Sequence, residues 1–327
     1  MEYPSSITKT FTVPRGFKYT FVHIAPSGSK PTILFLAGFP EPAFDWHYQV
    51  DHFKGLGYGI VAPDLLGYGA TDKPTAYLEY RRKPMADDVI AILDHLEIEQ
   101  VVGVGHDWGA GLLSALSAFH PTRFLNYSFL AVGYMAPGRV DTVAMNSMTK
   151  AMLGYEAFGY FEFFTESDSV SIVDGNIDSL NSLLFSEEIP NHWQTNICPR
   201  GAAREWLTAR RTGALPGWLK KSDLETRTKI LVHGGFTGPL NWYKQAVDPA
   251  NDEDAKSALV KGIPDKPVLF IGDDRQAAMP APMMEAMVKQ ACGNVTCRSL
   301  NTSHWMMLED PQGVNRTLEE FLRDNGL

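Results

Sequence analysis

Between Thr32 and about Val132 the chain alternates short apolar runs with longer stretches whose apolar residues recur every three or four positions. That alternation predicts a mostly parallel central sheet with helices on both faces, an α/β architecture. Thr32-Ile33-Leu34-Phe35-Leu36 and Gly59-Ile60-Val61-Ala62 end in turn residues and read as central strands. Residues 85–96 carry Val89, Ile92, Leu93 and Leu96 on one face and Asp87, Asp88 and Asp94 elsewhere, the pattern of an amphipathic helix. Residues 101–104 and 124–132 supply two more strands. From about Met135 to Val247 the alternation lapses into aromatics, Met, Gly and Pro mixed with helical fragments, which predicts an inserted, mainly helical cap. It resumes with a strand at 267–271, a helix near 282–292, a last strand at 295–300 and a closing helix at 311–322. The expected plan is a core of residues 1–134 and 248–327 interrupted by a cap of residues 135–247.

Composition narrows the class without naming a function. With 327 residues, 44% of them hydrophobic, the chain has ample material for a sizeable core. No run approaches the roughly 18 uninterrupted apolar residues of a spanning helix, and the start lacks the plan of a signal peptide, so a cytoplasmic location is expected. A formal charge of −9 disfavours nucleic acid and suits a small uncharged ligand. Cys198, Cys292 and Cys297 are too few and too irregular for a disulfide framework or a zinc site. Neither a metal nor an organic cofactor is implied, and the oligomeric state is not fixed.

The chemistry concentrates in Gly105-His106-Asp107-Trp108-Gly109, where an apolar strand turns into a buried helix with a carboxylate at the turn. This reads as a nucleophile elbow, and Gly105 and Gly109 supply the small flanks it needs. An ordinary aspartate after a strand is a helix N-cap, but that role does not call for the glycine frame. An elbow aspartate is already ionised, so it attacks an electrophilic carbon unaided and leaves an ester that needs a general base for cleavage. His304, after the last strand, is the candidate base. Asp274, with Asp273 as its rival, follows the strand at 267–271 and fills the acid's place in the order nucleophile, acid, histidine. Ala37-Gly38-Phe39-Pro40-Glu41 follows the strand at 32–36, and the backbone amides of Phe39 and Trp108 are the natural pair of oxyanion donors. Pro63-Asp64-Leu65-Leu66-Gly67-Tyr68-Gly69 lacks the spacing of a phosphate-binding loop and reads as structural.

These residues resemble the epoxide hydrolases of the α/β-hydrolase superfamily over nearly the whole chain. The family's His-Gly-x-Pro motif is matched by Ala37-Gly38-Phe39-Pro40, with alanine in place of histidine. Its nucleophile motif is matched by Gly105 to Gly109, and its histidine motif by Ser303-His304-Trp305. Its Gly-x-x-Asp acid motif meets Gly272-Asp273-Asp274-Arg275, which has arginine at the acid's place. The resemblance further implies two cap tyrosines that hold and protonate the epoxide oxygen. Leu240-Asn241-Trp242-Tyr243-Lys244 resembles the second, giving Tyr243. The aromatic segment 158–164 resembles the first, giving Tyr160, with Tyr155 as the alternative.

The implied reaction is conversion of a small apolar epoxide and water to a vicinal diol through a hydroxyalkyl ester on Asp107. A haloalkane or haloacid dehalogenase uses the same nucleophile, and Trp108 offers an indole donor for a halide; against it stands Tyr243, since a halide leaves without a proton. A ligand receptor on a hydrolase scaffold is the alternative of another class, opposed by the full set of nucleophile, acid and base.

Overall fold

The computed structural model describes residues 3–276 and 278–327. Eight strands among them form one sheet: β1 (Thr8–Thr12), β2 (Lys18–Ile24), β3 (Thr32–Leu36), β4 (Gly59–Pro63), β5 (Val101–His106), β6 (Phe124–Leu130), β7 (Ile263–Asp273) and β8 (Cys292–Leu300). Their spatial order is β1-β2-β4-β3-β5-β6-β7-β8, with β2 antiparallel to β1 and β4 and every other pair parallel. Every residue of β3, β4 and β5 is buried, as expected of central parallel strands covered by helices on both faces.

Each apolar run expected to be a strand is one, within a few residues. β6 stops at Leu130 because Ala131 takes a positive φ of 60° and turns the chain. β7 begins four residues earlier than expected, pairing Ile263 with Cys292. β1 and β2 are additions. β1 is a threonine- and lysine-bearing edge strand whose five residues are all exposed or half-buried, so it carries no apolar run to read.

The sheet divides the apolar core. On one face, Trp46, Val50 and Phe53 pack with Val314, Leu318, Phe321 and Leu322 of the closing helix Pro311–Asp324. On the other lie the helices Arg82–His95 and Trp108–Phe119, continuous with the aromatics of the segment between β6 and β7. That segment is helical from Thr142 to Ala246 with no strand among the described residues. Among the described residues no helix is long and apolar enough to cross a membrane.

Chain order fixes where a site can form. β3 leads to β4 on one side, and β4 returns across β3 to β5 on the other, so the loops leaving β3 and β5 diverge and open a crevice between them. The loops after β7 and β8 end at the same edge, where Asp273 pairs with Leu300.

Candidate active site

Asp107 leaves β5 with φ 50° and ψ −122°, a conformation an L-residue adopts only when its surroundings force it. The flanks do the forcing. A Cβ on Gly105 would meet the carbonyl oxygen of Gly109 at 2.6 Å, and one on Gly109 would collide with the Leu36 carbonyl. With glycine at both places the helix Trp108–Phe119 starts directly behind the carboxylate, and Asp107 is lifted above the sheet edge.

The carboxylate's two oxygens have different partners. Oδ1 accepts from the backbone amide of Phe39 at 2.8 Å, and the amide of Trp108 also donates to the carboxylate. Oδ2 faces His304 Nε2 at 3.6 Å. Burial pushes the Asp107 pKa up. The hydrogen bond and charge of His304, the field of His106 and the Trp108 amide outweigh that and hold it below the ordinary carboxylate value. The group is therefore ionised at neutral pH. The His304 pKa is lowered too, held below the ordinary imidazole value first by burial and then by the positive field of His106, which favours the neutral ring.

Above Asp107 lies a cavity of about 320 Å³ lined by Phe39, Trp108, Tyr160, Tyr243, Gln276 and His304 among mostly apolar side chains. Tyr243 stands on the helix Thr237–Ala246, which is tied to the core by Asn241 Nδ2 donating to the Thr75 carbonyl at 3.1 Å and Trp242 Nε1 donating to the Leu66 carbonyl at 3.0 Å. Asn241 and Trp242 thus anchor the turn that presents Tyr243. Its ring meets Phe39 edge-on at 4.9 Å and Trp108 edge-on at 5.3 Å. Tyr160 opens the helix Tyr160–Thr165 with its ring 6.0 Å from that of Tyr243. Burial, followed by neighbouring negative charge, pushes both phenols well above their usual pKa, so both keep their protons. Tyr155 is hydrogen-bonded to Gln194 and lies outside the cavity lining.

One expectation needs correction. Asp274 does not reach His304: it is exposed, and its carboxylate accepts from Ser299 Oγ at 3.4 Å. Strand geometry is the reason. The register of β7 ends with Asp273 paired to Leu300, where strand alternation buries the Asp273 side chain, and Asp274 opens the turn that follows, its amide bonded to the Leu300 carbonyl and its side chain exposed. Asp273 points inward and Asp274 outward. Asp273, only 1% exposed, does not touch the imidazole directly either. Gln276 lies between them: its Nε2 donates to Asp273 Oδ2 at 2.7 Å and sits 3.4 Å from His304 Nδ1.

The sequence motifs give no role to Gln276, nor to a buried ion pair beneath Asp107. Glu41 Oε1 lies 2.7 Å from His106 Nδ1, both side chains fully buried, while Glu41 Oε2 accepts from the Gly38 amide at 2.5 Å. His106 Nε2 donates to the His304 carbonyl at 2.8 Å. Burial alone would lower the His106 pKa, but the charge and hydrogen bond of Glu41 outweigh it and raise the value to about 9. A second buried pair, Arg227 with Asp45 at 3.1 Å, also donates to the Pro40 carbonyl at 2.7 Å and ties the helical insertion to the loop after β3. Glu41 and His106 lay inside the motifs already singled out; a titratable residue beside each motif's reacting atom was the available signal. Among the described residues no group of three or more His, Cys, Asp or Glu is placed to hold a metal ion.

Comparison with known proteins agrees with this geometry. A family model described as the alpha/beta hydrolase fold matches residues 31–186. "Epoxide hydrolase 2" of Siraitia grosvenorii is 31% identical over 223 residues, 68% of each chain. "Epoxide hydrolase A" of Mycobacterium tuberculosis is 25% identical over 96% of this chain and 97% of its own. Among solved structures, epoxide hydrolase A from Mycobacterium thermoresistibile superposes with a TM-score of 0.80 at 25% identity, covering 97% of this chain and 98% of that one.

Proposed function

We propose that this chain, which belongs to the epoxide hydrolases of the α/β-hydrolase superfamily, opens its substrate through a covalent ester on Asp107. The substrate is a small apolar epoxide held between the core and residues 135–247, which act as a cap. In the first half-reaction Asp107 Oδ2 forms a bond to a ring carbon while the carbon–oxygen bond of the ring breaks. The freed electron pair stays on the epoxide oxygen, which takes a proton from Tyr160 or Tyr243. A hydroxyalkyl ester remains on Asp107. In the second, water adds to the carboxyl carbon of Asp107 and its proton goes to His304. The resulting oxyanion is stabilised by the amides of Phe39 and Trp108, and collapse expels the diol alkoxide, which takes the proton back from the imidazolium, while the carboxyl proton left on Asp107 passes to the tyrosinate and restores both groups.

The observation that carries this reading is the split environment of the carboxylate. Oδ1 already sits on the Phe39 amide, where the oxyanion will form, Oδ2 faces His304 at 3.6 Å, and both phenols line the same cavity as Asp107. Two buried phenols that keep their protons beside Asp107 are donors a departing halide does not need, which speaks against dehalogenation. A single turnover in oxygen-labelled water tests the route. The diol from the first turnover should carry only unlabelled oxygen, taken from Asp107; label in that diol would overturn the ester.

A further inference from the structure

The contact between His304 and Gln276 bears on which half-reaction is slow. Gln276 Oε1 accepts from the backbone amide of Ala278 at 3.1 Å, which fixes the orientation of the side-chain amide. Its Nε2 is therefore the atom turned to both Asp273 Oδ2 and His304 Nδ1. An amide nitrogen only donates. The lone pair of the neutral imidazole is then needed at Nδ1, and the ring hydrogen sits on Nε2, directed at Asp107 Oδ2.

That arrangement suits the resting enzyme and opposes the second half-reaction. An Nε2–H bond steadies the carboxylate before attack, but a base that takes a proton from water needs its lone pair on Nε2. Moving the hydrogen to Nδ1 sets it against the amide hydrogens of Gln276. Flipping the amide sets its NH2 against the Ala278 amide hydrogen and its oxygen against Asp273. Only a protonated Asp273, donating to the flipped oxygen, relieves part of that conflict. Asp273 is buried, its Oδ1 has no hydrogen-bond partner among the described residues, and burial pushes its pKa well above the ordinary value, so a proton there is at hand. Moreover, with Asp107 esterified, no carboxylate among the described residues is paired with the imidazolium that forms when water is deprotonated.

Resting on the ester route proposed above, we propose that Gln276 is a positioning residue that holds His304 as its Nε2–H tautomer and makes cleavage of the Asp107 ester slower than its formation. In serine hydrolases an amide in place of the orienting acid costs about 10⁴ in kcat through the wrong tautomer, which sets the scale of such an effect.

Three measurements test it. In the free protein, long-range nitrogen–proton NMR correlations of His304 should report Nε2–H; a dominant Nδ1–H tautomer overturns the proposal, and this arm needs no substrate. With excess styrene oxide or hexene oxide, rapid-quench kinetics should show a burst of epoxide consumption near one equivalent before slow diol release, with most of the protein heavier by one substrate. Gln276→Glu keeps the side-chain shape and presents a carboxylate oxygen to Nδ1, and Asp273→Asn combined with it relieves charge crowding. Either variant should cleave the ester at least about tenfold faster. kcat and KM should rise together, with kcat/KM unchanged. Diol release without a burst in the wild type, or ester cleavage no faster in both variants, overturns the role of Gln276 and leaves the ester route standing. Label in the first-turnover diol overturns the ester route itself, and the inference with it.

Discussion

The two sides of the catalytic centre are built differently. On the nucleophile side, the Asp107 carboxylate accepts from backbone amides belonging to two short contiguous motifs, the loop after β3 and the elbow after β5. On the histidine side, the order of groups depends on which side chains of two separate loops turn inward: Asp273 does, Asp274 does not, and Gln276 takes the place beside His304. A backbone donor is set by the path of the chain and tolerates many side chains. A side-chain relay has no such tolerance, since exchanging an oxygen for an amide nitrogen reverses the direction of a hydrogen bond.

Removing the nucleophile gives the largest expected effect. Asp107→Ala should reduce diol formation by about 10⁶-fold, leave no ester in the intact-mass spectrum and retain a cooperative melting transition. Turnover within about a hundredfold of wild type would mean that the nucleophile side had been misassigned. His304→Gln breaks the other side and should look different. Diol release falls by about 10²–10⁴-fold, but the ester still forms and accumulates. Loss of ester formation in that variant would show that the two sides are not separable in this way.

On the proposed route the phenols act as donors in the first half-reaction alone. Tyr243→Phe or Tyr160→Phe should slow single-turnover ester formation by about 10²-fold while the cleavage of pre-formed ester keeps its rate. If Tyr160→Phe proves silent and Tyr243→Phe does not, protonation falls to Tyr243, the phenol packed edge-on against Trp108.

The same contrast explains what could be read from the sequence. The elbow was legible because strain at one residue demands small residues at fixed offsets, and Gly105 and Gly109 record that demand. Central strands were legible because burial on both faces leaves uninterrupted apolar runs, as in β3 and β4. β1 was not, since an edge strand open to water needs no such run. At the end of β7 two adjacent aspartates point to opposite sides of the sheet. Choosing between them required the register of the last ladder bonds, set by pairing with β8 twenty-seven residues further along. Gln276 left no signal at all, because an uncharged amide in a loop has many roles and only its neighbours select one.

The smallest expected effect lies beneath both sides, in the pair that joins them. Glu41 holds the Gly38 amide on the nucleophile side, and its partner His106 holds the His304 carbonyl on the other. The folded His106 pKa, about 9, stands above the value of roughly 6.5 it would have in the unfolded chain. A raised histidine contributes stability fully below its unfolded pKa and loses it as the pH rises through the folded one. The contribution is therefore complete near pH 6 and fades between about 6.5 and 9, on the order of 1–3 kcal/mol. Glu41→Gln removes the charge that raises the pKa while keeping an acceptor for Gly38. The gap in unfolding free energy between wild type and this variant should be widest near pH 6 and narrow towards pH 10, read by urea denaturation at each pH. A gap that is constant over that range would mean that His106 is neutral when folded, and that the strut between the two sides is an ordinary hydrogen bond rather than an ion pair.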